Sequence, residues 1–318
     1  MVQTVENQSK KIGYFKQQRK NFKQTKGIVV FIIPAIILTL VFGYVPMSGI
    51  IFAFKEKVSQ SNWLYDVLTQ PFTLDHVARV FQDPEVLTAL KNTLIISIVK
   101  ILIFFPLTIL LAILLSEIKR PALSKLILII LCLPNFLSWP VVIGIWNNLL
   151  SLDNGLVNNI IEALGGERVY FFRDCFKGLV VFLSIWKGLG WGSIYFYAAI
   201  MSIDKEYYEA ATIDGANKFQ QIRYLTIPGI LPVIALQLVM NITYILDAGF
   251  DQVYSMLSLV RSLTDKEQIL GTYIFKLTME EPDIAFTVAM SVVQGLFALV
   301  LMLAGNTLVK KKLGRSLW

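Results

Sequence analysis

The chain is poor in cysteine, histidine and charge. Its two cysteines, Cys132 inside an apolar run and Cys175 in a polar stretch, are too few for a disulfide framework. A single histidine, His76, rules out a metal centre built from several imidazoles. No Gly-Lys dipeptide occurs, so the G-x-x-x-x-G-K-[ST] loop that cradles nucleotide phosphates is missing. Nor is there a nucleophile, base and orienter spaced for enzymatic chemistry, so no catalytic residue and no metal ligand is expected. Charged residues are only 16% of the chain. They fall mostly between apolar blocks, as expected where burying a charge in hydrocarbon costs several kcal/mol.

What fills the chain instead is hydrophobic length. Of 318 residues 55% are hydrophobic, and the mean hydropathy is +0.62. Six runs long enough to cross a bilayer lie near 28–52, 92–116, 124–149, 178–201, 229–249 and 285–309. An all-α integral membrane protein of six spans follows, with a basic tail over 1–27, a membrane domain over 28–309 and a second basic tail over 310–318. The first run is too long for a typical secretory signal and ends without an A-x-A-like site, so it is expected to be retained. Six spans put both termini on one side. Lys and Arg crowd the N-terminal tail, the short loop with Lys119, Arg120 and Lys125, the loop with Lys205, Lys218 and Arg223, and the C-terminal tail. The positive-inside rule therefore places both termini in the cytoplasm. Topology accounts for the net charge of +7, and nucleic acid is not an expected partner.

Three long outer loops remain, at roughly 53–91, 150–177 and 250–284. Loops of such length are usually functional or packed. In the middle one, Leu156, Ile160, Ile161 and Leu164 repeat with a helical period and Gly165-Gly166 follows, which predicts a short helix with a glycine stop. It can serve as a lid over the bundle, as a docking surface for an extracytoplasmic partner, or as both.

The loop at about 204–228 is polar enough to leave the membrane. Within it Tyr208, Ala211, Gly215, Phe219 and Ile222 recur at spacings of three and four, the signature of one helix face. Asp204 is a natural N-cap, and Pro228 and Pro232 mark the entry into the next span. Small residues at Ala210, Ala211 and Gly215 would let another backbone come close. The competing reading is an amphipathic helix lying on lipid, but the apolar face lacks the Trp and Leu this would need.

Glu209-Ala210-Ala211, three residues, Gly215, nine residues and Leu225-x-Ile227-Pro228 resembles the EAA loop, E-A-A-x3-G-x9-I-x-L-P, of membrane subunits of ATP-binding-cassette importers, with Ile and Leu interchanged. WKGLGWGSIYFYAAIMSIDKEYYEAATIDGA, GLVNNI and AGFDQVYSM extend the similarity over roughly 25–318. They point to the permeases of oligosaccharide importers, the maltose-type group and its lipoprotein/polysaccharide-permease branch. The resemblance implies the type I importer permease fold and alternating access. It also implies a second homologous permease, two ATPase subunits that hold ATP and Mg, and an extracytoplasmic solute-binding protein. This chain would bind no cofactor itself. Contact with the ATPase would fall to Glu209, Ala210, Ala211, Asp214, Gly215, Phe219 and Pro228.

A sugar wants flat aromatic faces beside amides and carboxylates. The fourth span offers Trp186, Trp191, Tyr195 and Tyr197, and the fifth Asn241, Tyr244 and Asp247, spaced by three and so close to one helical face. Gln294 and Asn135 could join them. Lys187 would cost about 2.5–3.5 kcal/mol at the bilayer centre and should face a cavity or a partner. Lys100 could snorkel. Single aromatics can equally be interfacial belt or packing residues. The same machinery serving a peptide or amino acid, or a stand-alone secondary carrier, are the competing functions.

Overall fold

The computed structural model describes residues 26–59, 61–260, 265–280 and 283–313. Most of the basic N-terminal tail and Arg315 lie outside the described residues. Within them the chain is helical, with one isolated antiparallel bridge, Lys55 to Phe72. Five helices are long and apolar enough to cross a membrane, and a bent pair supplies the sixth span.

The first span covers Ile32–Phe54 and passes through a π turn at Leu40–Tyr44 and a 3-10 stretch at Ser48–Phe54. None of its most apolar stretch is buried within this chain. The second span is the helix Pro84–Ser116, and it starts eight residues before the expected 92. Asp83 explains the early start: its carboxylate accepts the amides of Glu85 and Val86, and Pro84 follows at the first helical position. The third span is not one helix. Pro121–Phe136 and Trp139–Leu150 meet at 95°, with Leu137 and Ser138 extended between them. Pro140 sits in the first turn of the second half, where a missing amide proton costs nothing. The fourth span is Phe176–Met201 and the sixth begins at Ile284.

The fifth span departs most from expectation. One continuous helix runs from Lys218 to Thr243, so it begins in the polar loop and stops short of 249. Pro228 does not mark the entry. A π turn at Ile222–Thr226 precedes it with Ile227 between, and this wider turn carries the helix past a residue that cannot donate a backbone hydrogen bond.

Spans two and four form the most extensive helix pair. Glycine makes the fourth span adaptable on two sides. A Cβ at Gly188 or Gly192 would meet Phe104 or Thr108 of the second span, and one at Gly190 would lie 2.4 Å from the Leu131 carbonyl carbon of the third. Four-residue spacing of small residues permits such close helix approach in membranes. The short helices Trp63–Thr69, Asp75–Val80, Leu156–Ala163, Phe250–Leu259 and Leu270–Glu280 lie at the opposite end from the 204–228 loop. They are tied down by polar bonds. Asn92 donates to the carbonyls of Lys266 (2.8 Å) and Gln268 (2.9 Å), and Thr93 Oγ1 accepts the Leu270 amide at 2.8 Å. Arg79 pairs with Asp283 at 2.9 Å and stacks over Phe286. Burial, then the Asp83 and Glu85 carboxylates, raise the Tyr273 phenol above its usual range.

The glycine-stopped helix is present as Leu156–Ala163, with Gly165 at φ 82°. Asn158, in the GLVNNI segment, is fully buried and staples the loop. Its amide donates to the carbonyls of Leu150, Ser151 and Val169, while its oxygen accepts the Val169 amide. Leu156, Ile160 and Leu164 stay exposed, Leu164 by 83%. The loop is thus packed on one face and free on the other.

Candidate functional site

The 204–228 loop forms two helices rather than one. Asp204 caps the first, accepting the Glu206 amide at 3.0 Å, and the helix runs Lys205–Ile213. It ends in a Schellman turn: the Ala216 amide bonds to the Ala211 carbonyl at 2.9 Å and that of Gly215 to Thr212 at 3.1 Å. Gly215 stands at φ 81°, a conformation that disfavours any side chain, with open space where its Cβ would be. Its role is therefore to end the helix and turn the chain. Crowding does not demand glycine here. Asn217 and Gln220 then form a capping box that starts the fifth-span helix at Lys218.

This break divides the expected face. Tyr208, Ala211 and Ile222 turn inward, and Tyr208 shares a 3.0 Å hydrogen bond with Thr226. Gly215 and Phe219 do not join them; Phe219 is 73% exposed. Glu209, Ala210, Asp214 and Pro228 are exposed as well, and Ala211 is half-buried. The outward apolar surface is completed by residues that periodicity does not single out: Tyr207, Tyr224 and Ile213, the last 87% exposed. Helical spacing alone misses Ile213 because it precedes a turn that only the left-handed Gly215 reveals.

The candidate substrate residues separate into two groups. Trp186 packs edge-on against Trp146, their ring centroids 5.6 Å apart, and Trp191 lies edge-on to Phe136 at 6.1 Å. Tyr195 is exposed, and Tyr197 bonds to Ser124 at 2.9 Å. Lys187 is buried and donates to the Asn135 carbonyl at 2.7 Å, with its ammonium 5.3 Å from the Trp139 ring centroid. Its partner is thus internal to the chain, at the break in span three.

Asn241, Tyr244 and Asp247 do not share a helical face. The helix stops at Thr243; Tyr244 is its 61% exposed C-cap, and Asp247 is exposed in the turn that follows. Asn241 bonds back to the Gln237 carbonyl at 2.7 Å. Gln294 of the sixth span does reach this turn, donating to the Leu246 carbonyl at 3.1 Å. Asp251 belongs to the next helix, Phe250–Leu259.

Lys100 does not snorkel. Its ammonium donates to the Ala248 carbonyl at 2.9 Å and to Gln252 Oε1 at 3.2 Å. Gln252 is fully buried, donates to the Val180 carbonyl and accepts from Ser184 Oγ, so spans two and four and the AGFDQVYSM segment meet in one polar knot. Ala248 at φ 51° and Gly249 at φ 87° form the tight turn that this knot holds. A side chain at Gly249 would meet the Lys100 ammonium at 2.9 Å.

A membrane bundle of five unbroken spans and one broken one, with a capped polar-loop helix joined to the fifth span by the Gly215 turn, now stands beside the known proteins. The family described as "Binding-protein-dependent transport system inner membrane component" matches residues 104–311. The chain belongs to that family. It is a permease subunit of an ATP-binding-cassette importer and a multi-pass protein of the cell membrane. The polygalacturonan/rhamnogalacturonan transport system permease protein YteP of Bacillus subtilis (strain 168) is 34% identical over 91% of this chain and 89% of its own. Protein LplB of the same strain is 32% identical, over 91% and 90%. Among solved structures, a chain of a bacterial ABC transporter involved in the import of the acidic polysaccharide alginate superposes with a TM-score of 0.82. It is 32% identical, over 93% of this permease and 99% of that chain.

Proposed function

We propose that this permease is one half of an oligosaccharide importer that works by alternating access. The observation that carries the reading is whole-length likeness to transporters of polymeric sugar: YteP matches over nine-tenths of the chain, and the alginate transporter matches in fold over a similar length. The lactose permease LacF of Rhizobium radiobacter, 28% identical over 72% of this chain, points the same way.

The helix Lys205–Ile213 is the element that engages an ATPase, which supplies the ATP and Mg chemistry in trans. Glu209, Ala210, Ala211 and Gly215 carry the EAA pattern, with Asp214 beside them, and Ile213 and Phe219 add an exposed apolar surface. The lysine and arginine distribution supports placing this loop and both termini in the cytoplasm. A second permease is supported by the first span, whose most apolar stretch finds no cover in this chain. An extracytoplasmic binding protein is supported by the alginate transporter, solved in complex with an alginate pentasaccharide-bound periplasmic protein. The exposed Leu156, Ile160 and Leu164 offer a surface for it. For the sugar, Tyr244 and Asp247 lie exposed in the turn that ends span five, and Gln294, within span six, reaches that turn at the Leu246 carbonyl.

Deleting the gene should abolish uptake of a defined set of oligosaccharides while leaving monosaccharide uptake intact. A purified chain that transports alone, without ATP, would overturn the reading.

A further inference from the structure

A recess of about 620 Å³ lies between the Lys205–Ile213 helix and the turn linking spans two and three. Its volume falls within the range of small-molecule sites, roughly 300–1,000 Å³. Ile200, Met201, Ile203 and Pro121 supply an apolar side, at the ends of the fourth span and the start of the third. Two cations, Lys119 and Lys205, sit on its rim, and neither has an ion-pair or hydrogen-bond partner among the described residues. Two carboxylates also line it. Glu117 is neutralised by Lys218 at 2.8 Å, so the local charge is set by the two free lysines against Glu209 alone and is positive.

We propose that this recess binds one anionic phospholipid, with the phosphate between Lys119 and Lys205 and an acyl chain along Ile200 and Met201. The position favours this occupant. The recess lies at the adjoining ends of spans two, three, four and five, and Met201, half exposed, continues its apolar side onto the helix surface. Basic pockets between membrane helices on the cytoplasmic side are suited to anionic headgroups, at about 1 kcal/mol per lysine near the surface. A bound lipid would bridge the turn after span two to the helix proposed to meet the ATPase. The proposal rests on the cytoplasmic placement of that loop.

The test uses the whole importer, permeases with ATPases, in nanodiscs of phosphatidylcholine doped with phosphatidylglycerol, with retained lipid counted by native mass spectrometry. Phosphatidylglycerol should be retained, and Lys119→Gln and Lys205→Gln should each lower its retention about five-fold. Met201→Asp should lower it too, whereas Lys177→Gln at the outer face should not. Equal retention by wild type and both lysine variants would overturn the lipid site. So would displacement of the lipid by inorganic phosphate alone, which would mark a simple anion site, or retention by the permeases only when the ATPases are absent, which would mark the recess as ATPase-filled. Placement is checked separately. In a Cys175→Ser background, which removes the exposed native thiol, a Lys119→Cys variant that reacts with an impermeant maleimide in intact cells would overturn the cytoplasmic reading itself, a result distinguishable from unchanged lipid counts.

Discussion

The Lys187 ammonium is 2.7 Å from the Asn135 carbonyl oxygen, so a charge on the fourth span occupies the break of the third. The 3-10 turn at Leu133–Phe136 leaves carbonyls without helical partners, and in hydrocarbon such groups need a donor from elsewhere. Lys187→Met should therefore destabilise the permease by about 1–3 kcal/mol, the cost of a buried acceptor left unpaired. The check is the thermal unfolding midpoint in detergent, with an unchanged midpoint arguing that water or lipid already serves Asn135.

Gly215 gives a graded series. At φ 81°, Asn should be tolerated best, Ala should cost about 1 kcal/mol at this turn, and a β-branched Val more. Uptake per ATP hydrolysed should fall in the order Gly, Asn, Ala, Val, with membrane insertion unaffected. Equal coupling ratios across the series would remove the helix end from the mechanism.

Ile213→Glu places a charge on an apolar side chain that is exposed in this chain. ATPase recovery in a pull-down should drop at least ten-fold, while the second permease still co-purifies. Full ATPase recovery would mean that the contact surface lies on another face of the loop.

Gly190 and Gly178 form a contrasted pair. A methyl at Gly190 would lie 2.4 Å from the Leu131 backbone, whereas at Gly178 nothing lies within 4 Å. Gly190→Ala should force the third and fourth spans apart and lower the yield of folded protein, and Gly178→Ala should be silent. Similar yields for the two would show that the 121–136 segment moves aside freely.

Tyr244→Ala and Asp247→Ala should each raise the sugar concentration needed for half-maximal uptake several-fold, with the maximal rate less affected. Wild-type dependence in both variants would move the sugar path away from the end of span five.

The spans were legible in the sequence because their signal is simple: apolar length, with lysine and arginine gathered in alternate loops. Local chemistry was legible too, in the Asp204 cap and in the Gly165 stop. What the sequence hid depends on partners distant along the chain. Nothing near Pro134 and Pro140 distinguishes a gentle kink from a 95° break, because the break is held by Lys187, more than forty residues later. The three-residue spacing of Asn241, Tyr244 and Asp247 suggested one face, yet the helix ends between them, in a turn fixed by Lys100 from the second span. Pro228 looked like a helix start because a proline after a polar loop usually is one. A π turn has no compositional signature by which it could have been foreseen.

Because one helix runs unbroken from Lys218 to Thr243, it is a rod of 26 residues, about 39 Å long at 1.5 Å per residue. One end lies three residues from the Gly215 elbow and the other adjoins Tyr244. A rod amplifies. Pivoting it by about 10° at the end proposed to meet the ATPase would swing the far end by roughly 7 Å, wider than one helical turn is tall. Small strokes of the motor would then suffice to open and close the path, without any relay of side chains between the two ends.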